Sequence, residues 1–159
     1  MTVVSDTSVL IYLLHVGRLD VLRDLFGQVH VPDAVLRELS VVDREARVVS
    51  EAAWITVVSE PPPNDRRLEL DRFRLDPGER AALALALTAQ NTLVLIDDAA
   101  ARAAARELGL AHTGLLGICG RAKQIGLIPE ARPLLQAMVR RGFRIAPALL
   151  EGFLATLGE

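Results

Sequence analysis

Cysteine is almost missing from this chain: Cys119 is alone, so no disulfide can form within it. A single thiol with no nearby Cys/His cluster reads as a small buried hydrophobe of a reducing compartment, not as a catalyst. Aromatic residues make up only 4%, which argues against a platform on which nucleic-acid bases stack. No uncharged apolar run approaches the ~20 residues of a membrane span, the nearest being Ala81 to Leu87. The amino terminus lacks a cationic segment, and Asp6 interrupts the first apolar stretch before a signal core could form, so the expectation is a soluble, cytoplasmic protein with no membrane partner. Also absent are a P-loop, a Gly-rich dinucleotide fingerprint and a nucleophile elbow. The three histidines, His15, His30 and His112, are far apart and in no metal-ligand spacing.

What is present is apolar bulk, 51% of 159 residues, enough to bury a core without disulfides. The expectation is one domain spanning residues 1–159. Net charge is −2, but it is unevenly spread: residues 1–100 carry 16 acids and 10 bases, residues 101–159 carry 4 acids and 8 bases. An acidic pocket beside a basic surface suits a metal-dependent enzyme that acts on a polyanion. Seventeen of the 18 bases are arginine, which together with the many alanines reflects genome composition more than function.

Short apolar runs alternate with helical segments. Strands are expected at Thr2 to Ser5, Val29 to Val31, Trp54 to Val58, Thr92 to Ile96 and Ala111 to Thr113. Helices are expected at Thr7 to Val16, Leu19 to Phe26, from Pro32 past Glu38, within Val41 to Ala53, from Glu79 to Gln90, Ala99 to Leu108, Leu115 to Ile125, Glu130 to Arg141 and Pro147 to Leu157. Pro61, Pro62 and Pro63 enforce a loop, and a short helix is expected around Asp65 to Arg74. Strand and helix in alternation imply a parallel sheet covered on both faces, an α/β fold.

Four carboxylates stand at junctions of this pattern: Asp6, Glu38, Glu79 and Asp97. Asp6 and Asp97 follow buried strands, at the sheet edge where open parallel sheets bind ligands. Each acid also has a structural reading. Asp6 could be a helix N-cap, Asp98 makes a better cap than Asp97, and Asp76-Pro77-Gly78-Glu79 spells a capping box. Glu38 alone would pass for a solvated helix residue. Together the four suit Mg²⁺ or Mn²⁺, hard cations that prefer carboxylate oxygen and also bind phosphate. Without metal such a cluster repels itself, so the expectation is a site that is loose or partly protonated.

With these acids placed, the chain resembles a PIN domain and is similar to the prokaryotic PIN proteins that include VapC-type toxins. The resemblance is carried by Val3-Val4-Ser5-Asp6-Thr7-Ser8, Val31-Pro32-Asp33-Ala34-Val35-Leu36-Arg37-Glu38-Leu39, Gly78-Glu79-Arg80-Ala81-Ala82-Leu83, and Leu93-Val94-Leu95-Ile96-Asp97-Asp98. It extends through Leu108 to Gly114 and Gly126-Leu127-Ile128-Pro129. It implies a three-layer α/β/α sandwich with a short parallel sheet and metal-dependent ribonuclease activity. Asp6, Glu38, Glu79 and Asp97 become the catalytic and metal-site acids, with Asp98 a further candidate ligand and the Thr7 or Ser8 hydroxyl orienting water at the metal. Glu79 stands where many such toxins have Asp. The same resemblance implies a homodimer and a small antitoxin that blocks the acidic pocket, and it would place Arg102, Arg121 and Lys123 where they guide RNA phosphates. Two other readings stay open: a PIN-like module that binds RNA or protein without hydrolysis, and a DNA nuclease or phosphatase using the same metal chemistry.

Overall fold

The computed structural model describes residues 1–41, 43–59 and 68–159. Five strands, β1 (Thr2–Ser5), β2 (Val29–Pro32), β3 (Ile55–Val58), β4 (Thr92–Leu95) and β5 (Ala111–Thr113), form one sheet in the order β3-β2-β1-β4-β5. Every neighbouring pair is parallel. Nine α-helices lie among the described residues: α1 (Thr7–His15), α2 (Asp20–Phe26), α3 (Asp33–Leu39), α4 (Asp43–Glu51), α5 (Pro77–Ala86), α6 (Ala99–Glu107), α7 (Leu115–Gln124), α8 (Arg132–Arg140) and α9 (Pro147–Thr156). A 3₁₀ turn covers Glu69–Arg72.

Side chains that alternate along the strands divide the core into two layers, as the period of two requires. Val3 and Leu95 point to one face, where α1, α2, α3, α7 and α8 supply Leu10, Leu13, Leu22, Leu39, Ile118 and Met138. Val4, Val94 and Ile96 point to the other, against Leu83 of α5 and the small face of Ala101, Ala104 and Ala105 on α6. The architecture is therefore the α/β/α sandwich that the resemblance implied, with helices on both faces of the sheet. The alanines that looked compositional are functional in packing: they let α6 lie close to the sheet.

Element ends differ from expectation where side chains intervene. The helix expected to reach Gln90 stops at Ala86. Thr88 Oγ1 donates to Leu85 O at 2.7 Å, Thr92 Oγ1 donates to Ala89 O at 3.2 Å, and Asn91 turns left-handed at φ 55°. Such local hydroxyl bonds compete with the helical ladder. Of the short helix expected over 65–74, the 3₁₀ turn is what is seen. Residues 65–67 and the triple proline lie outside the described residues.

β1 sits between β2 and β4, and the chain leaves it in opposite directions to build the two halves of the sheet. This is a topological switch point, and open α/β sheets carry their ligand crevice at its carboxyl end.

Candidate metal centre at the carboxyl edge of the sheet

Ser5 ends β1, and Asp6 follows with its main-chain N–H on Leu95 O at 3.1 Å. That bond continues the β1–β4 ladder one residue beyond the strands and brings the segments bearing Asp6 and Asp97 side by side. Asp6 caps α1 as well: its Oδ1 accepts from Val9 N at 3.1 Å, and Ser8 Oγ donates to Oδ1 and Oδ2 at 2.9 and 2.7 Å. The residue is 1% exposed, one of only four buried polar or charged residues among those described, with Ser5, Glu79 and Thr92.

Asp97 and Asp98 divide their labour. Asp98 Oδ1 accepts from Ala100 N and Ala101 N at 2.7 and 3.0 Å and so caps α6, the role that the sequence favoured for it. Asp97 turns across to α7 and accepts from Leu115 N at 3.0 Å, satisfying an amino-terminal N–H of a helix that has no side-chain cap of its own. Gly114 makes this approach feasible. A β-carbon there would collide with the Asp97 carboxylate and lie 3.1 Å from Ile96 O.

Glu38 is not a solvated helix residue. It receives the Thr7 hydroxyl on Oε2 and the Gly78 N–H on Oε1 at 2.7 Å, tying α3 to the starts of α1 and α5. Gly78 is needed for the same reason as Gly114: a β-carbon would run into Glu38 and stand 2.6 Å from Thr7 Oγ1. Glu79 completes the capping box that its sequence spelled, taking Asp76 N at 2.9 Å while Asp76 Oδ1 takes Glu79 N at 2.8 Å.

The electrostatics join what the hydrogen bonds separate. Burial raises the Asp6 carboxyl to about 8 against the pull of Val9 N–H and Ser8, and the charges of Asp97 and Glu79 push it further. Burial likewise raises Glu79 to about 7, the Asp76 N–H resists, and Asp76, Asp98 and Glu38 add repulsion. Asp97 is raised by burial, with Leu115 N–H and Arg102 opposing. Arg102 is the cation that faces this cluster, with Nη1 3.9 Å from Asp97 Oδ1. The five acids named from the sequence are thus linked pairwise, Asp6 to Asp97 and Glu79, and Glu79 to Glu38 and Asp98.

They do not form a finished coordination sphere. Among the described residues no group of three or more His, Cys, Asp or Glu is arranged to hold a metal ion. Each carboxylate gives at least one oxygen to an internal donor. The donor set nevertheless fits a divalent hard cation, being carboxylate and hydroxyl oxygen without thiol or imidazole. His15 pairs with Glu45 at 2.6 Å, while His30 and His112 lie 3.3 and 3.2 Å from the carbonyls of Val3 and Leu110, so their contacts are not with the five site acids.

A family model described as a PIN domain matches residues 2–159. This chain belongs to the PIN-domain family. No curated protein matches it at a significant level. The PIN domain is a nuclease fold, and its members usually use divalent metal ions. In this PIN domain the acids lie at the sheet's switch point, the place the general rule for α/β sheets assigns to a ligand.

Among the sequence-named cations, Arg102 borders the acids, and Arg121 is exposed on α7. Lys123 is occupied elsewhere, donating to Leu157 O at 2.8 Å and Glu159 Oε1 at 2.7 Å. Thr7 was named from the sequence only as an orienter of water; what was missed was its bond to Glu38, with Gly78 beneath Glu38 and Gly114 under Asp97. The available signals were a glycine at the start of α5, whose own N–H is the donor, and a glycine just before Leu115. No helix among the described residues is long and apolar enough to cross a membrane.

Proposed function

We propose that this PIN protein is a Mg²⁺- or Mn²⁺-dependent endoribonuclease, the toxin half of a toxin and antitoxin pair. The observation that supports this reading best is the meeting of Asp6, Glu38, Glu79 and Asp97 at the switch point, where burial and mutual repulsion raise the Asp6 carboxyl to about 8. Such a cluster is poised for a cation. Asp6 and Asp97 would hold the ion, with Glu38 as third ligand and Glu79 turning from its cap. A bound divalent ion supplies Lewis-acid charge to a phosphate and lowers the pKa of water. Ser8 holds the Asp6 carboxylate in place, Thr7 holds Glu38, and Arg102 offers its guanidinium to a phosphate oxygen at the rim. An antitoxin from another chain, a homodimer and a cytoplasmic location belong to the same proposal.

The test is cleavage of single-stranded RNA with and without Mn²⁺, beside single-stranded DNA and a phosphomonoester, using protein freed of any inhibitory partner. The reading requires metal-stimulated cleavage of RNA that Asp6→Asn and Asp97→Asn abolish. Preference for DNA or for the monoester would move the chain to a neighbouring reaction, and no cleavage of any substrate would sink it.

One observation favours a second reading, a PIN module that binds without hydrolysis: the carboxylates are already satisfied by internal donors, with no three of them arranged around a cation. Calorimetric titration with Mn²⁺ separates the two. The module would take up no ion in a manner that Asp97→Asn disrupts.

A further inference from the structure

The arginines of this chain fall into two populations. Arg18, Arg23, Arg37, Arg47, Arg80 and Arg132 each close an ion pair with a carboxylate. Arg44, Arg140, Arg141 and Arg144 are exposed, and their guanidinium groups have no ion-pair or hydrogen-bond partner among the described residues. Arg74, Arg106 and Arg121 are likewise exposed and without such a partner among the described residues, on other segments. Arg140 ends α8, Arg141 and Arg144 lie in the turn that follows it, and Arg44 and Arg141 line one cleft of about 890 Å³ with Leu14, His15, Leu19, Asp20, Glu45 and Val48.

The cleft carries acids too, and each has a side-chain partner. Asp20 is held by Arg18 at 3.1 Å and Glu45 by His15 at 2.6 Å. Arg44 and Arg141 have no such partner among the described residues. The turn that presents Arg141 is fixed to α1: the Tyr12 hydroxyl donates to Gly142 O at 3.2 Å, and the Tyr12 and Phe143 rings pack edge to face with centroids 5.3 Å apart. Gly142 bends the chain there at φ 101°. These aromatics anchor the turn.

α1 relates the cleft to the acids. Asp6 caps its start, and Leu14 and His15 at its end line the cleft, about 13 Å away for a helix of this length. We propose that this face is a second RNA site, an electrostatic exosite in which Arg44, Arg140, Arg141 and Arg144 hold phosphates of a strand whose other portion lies at the carboxylates. The proposal rests on the ribonuclease reading for its substrate class. Unpaired arginine suits it because the guanidinium fork takes phosphate oxygens two at a time, and no internal ion pair has to break first. The aromatic poverty of the chain agrees with a site that grips backbone and not bases.

The test uses binding, so that it stands apart from cleavage. Fluorescence anisotropy is measured on Asp6→Asn protein with single-stranded RNA of about 4 and about 16 nucleotides, the range single-strand sites span. The longer strand is expected to bind more tightly, and R44A/R141A in the same background to lose that gain. The slope of log K against log salt should fall by about 1.4, the value for two released phosphate contacts. R44K/R141K should recover most of the slope. R44Q/R141Q replaces the alanine pair if thermal unfolding shows the latter misfolded. Unchanged affinity and slope overturn the exosite, and so does a cleft that takes a Glu/Leu-rich peptide but no RNA. If the exosite variants behave as stated while wild-type protein cleaves no RNA, the exosite stands and the ribonuclease reading falls.

Discussion

Asp6 does two things at one position, capping α1 and bringing a carboxylate to the sheet edge, and the conflict between them is measurable. Its folded carboxyl sits at about 8 because of burial, whereas in an unfolded chain it would titrate near 4. The folded state therefore binds the extra proton across that interval, and stability must fall as pH rises through it. Metal-free protein is expected to melt several degrees lower at pH 8 than at pH 5, with Glu79 contributing in the same direction through its rise to about 7. Differential scanning fluorimetry with chelator present checks this; a melting temperature that climbs from pH 5 to pH 8 would refute it. Thr7 gives the second residue-scale prediction. Thr7→Val removes the hydroxyl that Glu38 accepts, so Mn²⁺ affinity should drop about 10- to 100-fold, the usual cost of losing a group that orients a ligand. Titration calorimetry reads it directly.

Helix starts are the elements from which the centre is built. α1, α5, α6 and α7 all begin at the acidic edge, capped by Asp6, Asp76 with Glu79, Asp98 and Asp97 respectively. Asp98→Ala should cost about 1 kcal/mol of unfolding free energy, and Asp98→Ser should restore it, since serine caps as well as aspartate. Urea denaturation measures both, and calorimetry of Asp98→Ser decides whether the residue also serves the metal. Gly78→Ala drives a methyl into Glu38 and Thr7, with an expected loss of about 1–3 kcal/mol. Much of this was readable in advance. The apolar runs and their spacing gave all five strands, and the Asp-Pro-Gly-Glu box named the start of α5 before any contact was known. The Asp97 to Leu115 bond was not readable, because it joins residues whose neighbourhood exists only after β4 and β5 have paired. Glu38 was underrated for the same reason: its partners lie 31 and 40 residues away in sequence.

At the scale of the molecule, charge is sorted by employment. The last residue shows the structural kind: burial would raise the Glu159 carboxyl, but Lys123 and the N–H groups of Ala131 and Arg132 hold it at about 2. Its contribution is present above the ordinary glutamate range and is lost as pH falls toward 2. Glu159→Gln should loosen the junction of α7, α8 and α9 near neutral pH, seen as faster amide exchange at Ala131 and Arg132. The unpaired arginines beside α1 show the other kind, in which charge is left for a ligand.

The scarcity of aromatics makes the molecule its own reporter. Trp54, half-buried at the entrance to β3, accepts the Val29 N–H on its carbonyl, so its indole signal follows the sheet's outer half. Tyr12 is the only phenol, and it touches the turn that carries Arg141. One indole and one phenol give two resolved NMR signals without labels, one tracking unfolding of the sheet and the other occupancy of the arginine face.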